Sequence, residues 1–197
     1  LPDALSGKLR ALAQLEQTTL FNVGFAAFSV LMGRYADTCD VSIGTPVSNR
    51  PQQALQEMMG LFVNTLVMRS QWQPSQSFQS LLHKVKQFNL AALQHQDIPF
   101  ELLVDELHIP RDLSQTPLFN VMFVMQASSQ SESIALPDGL AIAPFSNNNL
   151  QSHAKFDLTL NFVDHEQLML VAEYRTSLFR DANITRLLQH FVNLLDA

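Results

Sequence analysis

The spacing of apolar and polar positions changes several times along the chain, and each change marks an element. Leu5, Leu9, Leu12 and Leu15 recur at helical spacing behind Pro2 and Asp3, which predicts an amphipathic helix over residues 3–16. Thr18 or Thr19 can cap a second helix over 19–35. Its apolar residues, from Leu20 through Phe28 to Leu31 and Tyr35, cover more than one face, as in a helix buried on most sides. The stretch DVSIGTPVSNRP (40–51) reads as a short strand ending at Gly44 and Pro46, and Glu57 to Gly60 as a helical turn stopped by glycine. LFVNTLVMR (61–69) is β-rich and apolar on both faces except at Asn64 and Thr65, the pattern of a central strand.

Ser77 then caps a long helix over 77–95, with Phe78, Leu81, Leu82, Val85, Phe88 and Ala92 on one stripe. Pro99 begins a shorter helix to Leu107. LFNVMFVMQ (118–126) is another buried strand. Residues 127–138 are Ser-rich and contain Pro137 and Asp138, a mobile loop by composition, with short strands expected over 139–145. KFDLTLNFV (155–163) and LMLVAEYRT (168–176) alternate around a turn at 164–167, a hairpin. Ile184, Leu187, Leu188, Phe191, Leu194 and Leu195 place a last helix over 182–195. No internal repeat or domain linker is visible. Helices and strands interleave without strict βαβ repetition, so the predicted class is α/β (α+β), a mixed sheet covered by helices.

Composition narrows the function classes. The 197 residues suffice for one large domain or a lobe of something larger. The net charge of -6 and the absence of any run of five Lys or Arg argue against a nucleic-acid partner. No apolar run approaches 18 residues, so no membrane span is expected. Cys39 is the single cysteine and no signal peptide is visible, which points to the cytoplasm. The first residues are Leu-Pro-Asp and the last follow an apolar helical pattern directly, so a fragment of a longer polypeptide is expected.

Catalytic candidates are few. SHAKFDL (152–158) contains His153 and Asp157 in the pattern H-x-x-x-D, in which some acyl-transfer enzymes carry a catalytic histidine. On a helix the two residues would be neighbours, about 5–6 Å apart between Cβ atoms. The local period is two, however, and on a strand they stand about 13 Å apart. Asp157 therefore cannot orient His153, and a strand start with a polar face is the default. His83, His95, His108, His165 and His190 form no close pair and no H-E-x-x-H, so a metal site is not indicated. His83 and His190 read as half-buried or surface residues, and His95 as a residue near the carbonyls of a helix end. No G-x-S-x-G, P-loop or G-x-G-x-x-G occurs. Asn64 is either a satisfied core residue or one lining a channel, with the core as default. Asp112 can cap a turn through the Ser114 or Gln115 amide, and Arg111 can pair with a carboxylate, both structural roles.

Four stretches in order, IGTPVSNRP (43–51), MMGLFVNTLVMR (58–69), HQDIPFELLVDEL (95–107) and RDLSQTPLFNVMFVMQ (111–126), resemble the later core motifs of condensation domains of nonribosomal peptide synthetases. AKFDLTLNF, EYRTSLF and ITRLLQHFVNLL resemble the closing segment of that family. The resemblance implies one lobe of a two-lobed, chloramphenicol-acetyltransferase-like, CoA-dependent acyltransferase fold. Its complete domain joins a carrier-bound acyl or peptidyl thioester to the amine of a carrier-bound aminoacyl group. The family's catalytic histidine lies in H-H-x-x-x-D-G. Here Ser152 precedes His153 and Leu158 follows Asp157, so that motif is absent. The motif order implies that residues 1–197 are the C-terminal lobe alone, inactive by itself.

By the same resemblance Asn64, Thr45 and Ser48 border the tunnel between the lobes, beside Gly44 and Pro46, and Asn64 moves from core to channel-lining. Arg111, Asp112 and Asp157 are structural. The implied partners are the N-terminal lobe, the donor and acceptor carrier proteins and a neighbouring adenylation domain. No cofactor is bound directly; the phosphopantetheine arms belong to the carriers. Gln115-Thr116 and Ser48 depart from the family's usual Arg-Asn and Ala. The F-V-N-T and R-D-L-S forms favour an ordinary condensation domain over a cyclising or epimerising relative. The rival readings are a non-catalytic module that docks a carrier protein and a stand-alone acyltransferase using His153. An isolated lobe should also expose an apolar patch.

Overall fold

The computed structural model describes residues 1–50, 52–109, 116–127 and 153–197. In chain order the elements are α1 (Asp3–Leu15), α2 (Leu20–Ala36), β1 (Asp40–Val47), α3 (Gln53–Gln56), β2 (Asn64–Gln71), α4 (Phe78–Gln94), α5 (Phe100–Glu106), β3 (Val121–Ala127), β4 (Leu158–Asp164), β5 (Met169–Tyr174) and α6 (Asp181–Asp196). The strands form one mixed sheet in the order β2-β1-β3-β4-β5. The β1–β2 and β4–β5 pairs are antiparallel, and β1–β3 and β3–β4 are parallel.

One face of the sheet is covered by α1, α2, α4 and α6. Ile43, Leu66, Met68, Phe123, Leu160 and Phe162 point into this core, following the strand period of two. Helix α2 lies at its centre, buried from Asn22 through Ser29 because its apolar residues run round the helix. Phe25 and Phe28 pack on Phe123 at 5.9 and 5.7 Å between ring centroids, and Phe28 meets Phe191 of α6 edge-on at 5.8 Å. Each such buried ring contributes about 1.5–3 kcal/mol by removal from water. The other face carries a smaller cluster of Phe119, Met122 and Phe156, with Phe100 of α5 and Val67 against it.

The caps Thr19 and Ser77 accept hydrogen bonds from the Asn22 and Ser80 amides and start α2 and α4 where expected. Other boundaries moved. Strand β1 runs past Gly44 and Pro46 to Val47, because its parallel pairing with β3 consists of Gly44↔Met122 alone. Beyond that pair no ladder bond requires the N–H that Pro46 lacks. Strand β2 begins at Asn64 rather than Leu61, since Val47↔Asn64 is the last pair of the ladder and Asn49, at φ 49°, turns β1 away. The helical turn expected at Glu57–Gly60 sits instead at Gln53–Gln56. Strand β3 starts at Val121 because Leu118, at φ 71°, interrupts the extended run. Bends at 155–157 delay β4 to Leu158 and turn Phe156 onto the smaller cluster, away from Leu158.

In α4 the buried stripe is Leu81, Leu82, Val85 and Asn89, whereas Phe78 and Phe88 are 38% and 42% exposed. Asn89 is tolerated inside because its Nδ2 donates to Asn22 Oδ1 at 2.7 Å, and Asn22 Nδ2 donates to Thr18 Oγ1 at 2.9 Å. The loop expected at 127–138 lies outside the described residues from 128 onward, Ala127 being the last residue of β3, and so do the short strands expected at 139–145, Arg111 and Asp112.

Candidate functional site

The open end of the β1–β2 ladder brings three of the motifs together. Val47 faces Asn64 there, with Ser48–Arg50 leaving β1 and Leu61–Val63 leading into β2. Asn64 is half-buried and its amide is fully engaged within the chain. Its Nδ2 donates to Gln96 O at 2.8 Å and Ile98 O at 2.6 Å. Its Oδ1 accepts from the Thr65 N–H at 2.9 Å and the Phe100 N–H at 3.2 Å. Two N–H donors and one oxygen that accepts twice thus fix the connection between α4 and α5, the HQDIPFE stretch, against the start of β2. Asn64 is a satisfied residue that shapes what surrounds it.

Arg50, which no sequence pattern singled out, organises the neighbouring loop. Its Nη1 donates to Leu55 O, to Met58 O at 2.7 Å and to Gln56 O at 3.5 Å. Its Nη2 donates to Gly60 O at 3.3 Å, and the guanidinium lies 4.3 Å from the centroid of the Phe62 ring. These bonds gather the carbonyls of a stretch that forms no helix at 57–60. The sequence signal was slight. An Arg sits between Asn49 and Pro51 ahead of QQALQEMMGLF, and backbone oxygens rather than a carboxylate take up its donors.

Thr45 and Ser48 are placed differently from each other. Thr45 is 4% exposed and shares the parity of Val41 and Ile43, so it faces the helix-covered core. Ser48 is exposed just past the last β1–β2 pair, close in sequence to both Val47 and Arg50. Met59 and Leu61 beside them are 100% and 93% exposed, and Met58, Val63, Ile98 and Leu102 are exposed too. Across the ladder, Arg69 grips Asp40 with Nε to Oδ1 at 2.8 Å and Nη2 to Oδ2 at 2.6 Å, and Gln71 Nε2 adds a third bond at 2.8 Å. Hydrogen bonding to Arg69, then to Gln71, holds the Asp40 carboxyl at about 2 against the opposing effect of desolvation.

Asp157 lies far along the chain from this end and has a structural setting. Its Oδ1 is 3.1 Å from Arg175 Nη1, its N–H donates to Asn120 O at 3.1 Å and its carbonyl accepts from the Arg175 N–H at 3.1 Å. His153 is exposed ahead of β4. His83 meets Glu16 at 3.2 Å, His190 Nδ1 meets the Tyr35 hydroxyl at 2.9 Å, and His95 ends α4 through its backbone N–H to Ala92 O at 3.1 Å, with its ring exposed. Among the described residues no group of three His, Cys, Asp or Glu is placed to hold a metal, and no helix is long and apolar enough to cross a membrane.

A mixed five-stranded sheet with helices on one face, and the FVNTL and HQDIPFE stretches joined through one asparagine, define a condensation-type acyltransferase fold. The family model for the condensation domain matches residues 1–197, and the chain belongs to that family. It is 42% identical over 192 residues to tyrocidine synthase 3 of Brevibacillus parabrevis, covering 97% of this chain and 3% of that protein. It is 39% identical over 181 residues to gramicidin S synthase 2 of Aneurinibacillus migulanus, covering 91% of this chain and 4% of that one. The chain therefore spans a small part of the curated relatives it matches. In fold it is similar to a four-domain nonribosomal peptide synthetase solved with AMP and glycine, at TM-score 0.88, 24% identity, 100% coverage of this chain and 16% of that one. It also resembles the X-domain from teicoplanin biosynthesis, at TM-score 0.87 and 20% identity, covering 99% of this chain and 44% of that one. The first condensation domain of the CDA synthetase matches at TM-score 0.75 and 19% identity, covering 99% of this chain and 42% of that one.

Proposed function

We propose that residues 1–197 form the C-terminal lobe of a peptide-bond-forming condensation domain. The complete domain takes a donor acyl or peptidyl thioester on one carrier protein and an aminoacyl group on another. The acceptor amine attacks the thioester carbonyl, an amide forms and the thiolate leaves with the donor's phosphopantetheine arm. In this reading the lobe supplies one wall of the tunnel for the two arms, part of the carrier-docking surface and the contact with the N-terminal lobe. An adenylation domain that loads the acceptor carrier is a further neighbour. The lone Cys39 fits the reducing cytoplasm.

The observation that carries the reading is the Asn64 latch at the start of β2. It joins two of the four ordered motifs in one place and sets the backbone around them. Asn64 acts on the tunnel by shaping it, Ser48 borders it from the exposed end of β1, and Thr45 supports the strand from the core side. The proton-handling histidine comes from the other lobe. Arg111 and Asp112 are assigned a structural role by their motif, and Asp157 by its pairing with Arg175.

The second reading is a docking module without chemistry. It is favoured by the likeness to the X-domain, which has been solved as a complex with OxyB, at TM-score 0.83 and 20% identity. Single-turnover assays of the complete domain with loaded donor and acceptor carriers separate the two. An amide product supports the condensation reading; carrier binding with no product supports the docking module and removes the first.

A further inference from the structure

We propose that Arg50 is a positioning residue for the reaction: through the loop at 55–62 it sets where Asn64 stands, and with it the α4–α5 connection. The proposal rests on the reading of this end of the lobe as a tunnel wall.

Among the described residues, little else holds that loop. Residues 57–63 belong to no helix or strand. Met58, Met59, Leu61 and Val63 are 51%, 100%, 93% and 58% exposed, so burial of their side chains does not fix its path. The internal bond from Met58 N–H to Leu55 O is long, at 3.4 Å. The Arg50 guanidinium instead gathers Leu55 O, Met58 O and Gly60 O and lies over the ring of Phe62, two residues before Asn64. Asn49 adopts the left-handed conformation that asparagine tolerates, and turns the chain at the point where Arg50 begins. Asn64 continues the path to Gln96, Ile98 and Phe100. The Arg50–Phe62 and Asn64–Ile98 contacts thus lie in three motifs and are joined through the backbone at Val63. A lysine cannot replace Arg50 here. An ammonium is a point donor, whereas the planar fork reaches carbonyls several residues apart while presenting its face to a ring.

The reacting groups in such a tunnel depend on alignment, and a displacement of about 1 Å can cost up to about a hundredfold in rate. The test uses the complete condensation domain with loaded carriers, and compares Arg50→Lys, Arg50→Met, Asn64→Ala and the Arg50→Met/Asn64→Ala double variant. Amide formation is measured at varied carrier concentration, and hydrogen exchange is followed over peptides 53–63 and 95–100, with α2 as fold control.

Both Arg50 variants are expected to lose at least about tenfold in kcat with a smaller change in KM. Exchange is expected to quicken in both peptides while α2 keeps its protection. The double variant should be no slower than Asn64→Ala. Wild-type kcat in Arg50→Lys, quickened exchange confined to 53–63, multiplied losses in the double variant, or lost protection of α2 would each overturn the proposal. If the unmodified domain makes no amide, the condensation reading fails instead, and the exchange of 95–100 still decides whether Arg50 governs that connection.

Discussion

Asp157 and Arg175 form an ion pair, Oδ1 to Nη1 at 3.1 Å, where β4 begins and β5 ends. The Arg175 Nη2 also donates to Lys155 O at 3.3 Å, and the Asp157 N–H reaches Asn120 O ahead of β3. One residue therefore ties three chain segments at the same end of the sheet. The pair is partly exposed, 33% for Arg175 and 23% for Asp157, so its contribution is that of a surface pair with good geometry. Replacing Asp157 by Ala should destabilise the lobe by about 1 kcal/mol. A double-mutant cycle with Arg175→Ala, read by denaturant melts, should return most of that as coupling. An additive cycle would show that the backbone bonds alone hold this corner.

Gly44 is dictated by Phe119. A Cβ at this position would lie 2.3 Å from Phe119 Cε2 and 2.5 Å from Cζ. The ring is in the smaller cluster, tilted against Phe156 at 5.3 Å between centroids, and cannot withdraw without disturbing it. Gly44→Ala should lower stability by about 1–3 kcal/mol as an overpacked site. The loss should shrink when Phe119 is also reduced to Leu, which thermal melts of the two variants would reveal.

The Asp40–Arg69 pair gives a pH dependence of known sign. The folded-state carboxyl sits at about 2, below its ordinary 3.8, chiefly because Arg69 donates to it. A depressed carboxylate stabilises the fold above its unfolded value and loses that contribution as the pH falls through its folded one. The stability difference between the wild-type chain and Asp40→Asn should therefore be constant near neutrality and shrink between pH 4 and pH 2, the ordinary and folded values rounded. Both side chains are largely exposed, so the difference is small and should fall further in high salt. A gap that widened on acidification would contradict the assignment.

Removing the Asn64 amide leaves the Gln96 and Ile98 carbonyls and the Thr65 and Phe100 amides without that partner. The site is half-exposed, so water replaces part of what is lost. Asn64→Ala should cost about 1–3 kcal/mol and lower the rate of the complete domain. Asn64→Asp keeps the oxygen that accepts from Thr65 and Phe100 and loses both donors. It should preserve protection at Phe100 while freeing the loop at Gln96–Ile98. Equal kinetics for wild type and both variants would confine Asn64 to a structural role.

Much of the fold was legible in the sequence because its helices carry explicit signals. Thr19 and Ser77 cap the helices they precede, and the apolar spacing of α6 matches its buried face, whereas that of α1 does so at Leu5 and Leu9 but not at Leu15, which is 77% exposed. The β4–β5 hairpin followed from alternation. Sequence reading failed where side chains bind backbone. Leu61–Val63 are apolar enough for a strand, yet the ladder ends at Asn64 because β1 turns away at Asn49. The stripe of α4 was placed through Phe88, but Asn89 is the buried residue because a partner amide waits on α2. The same holds at the site. The motifs located Asn64, but its four partners are main-chain atoms, and so are the hydrogen-bond partners of Arg50. Backbone carbonyls leave no trace in residue identity, so the role of Arg50 became visible only in three dimensions.

In the function proposed above, residues 1–197 shape a reaction whose histidine lies elsewhere. The most direct measurement is amide formation from donor-loaded and acceptor-loaded carrier proteins with residues 1–197 as the sole condensing component. The predicted result is product at the uncatalysed background rate, with full activity in the complete domain. Turnover above background by residues 1–197 alone would contradict it and return the chemistry to this chain, with His153 the first residue to examine.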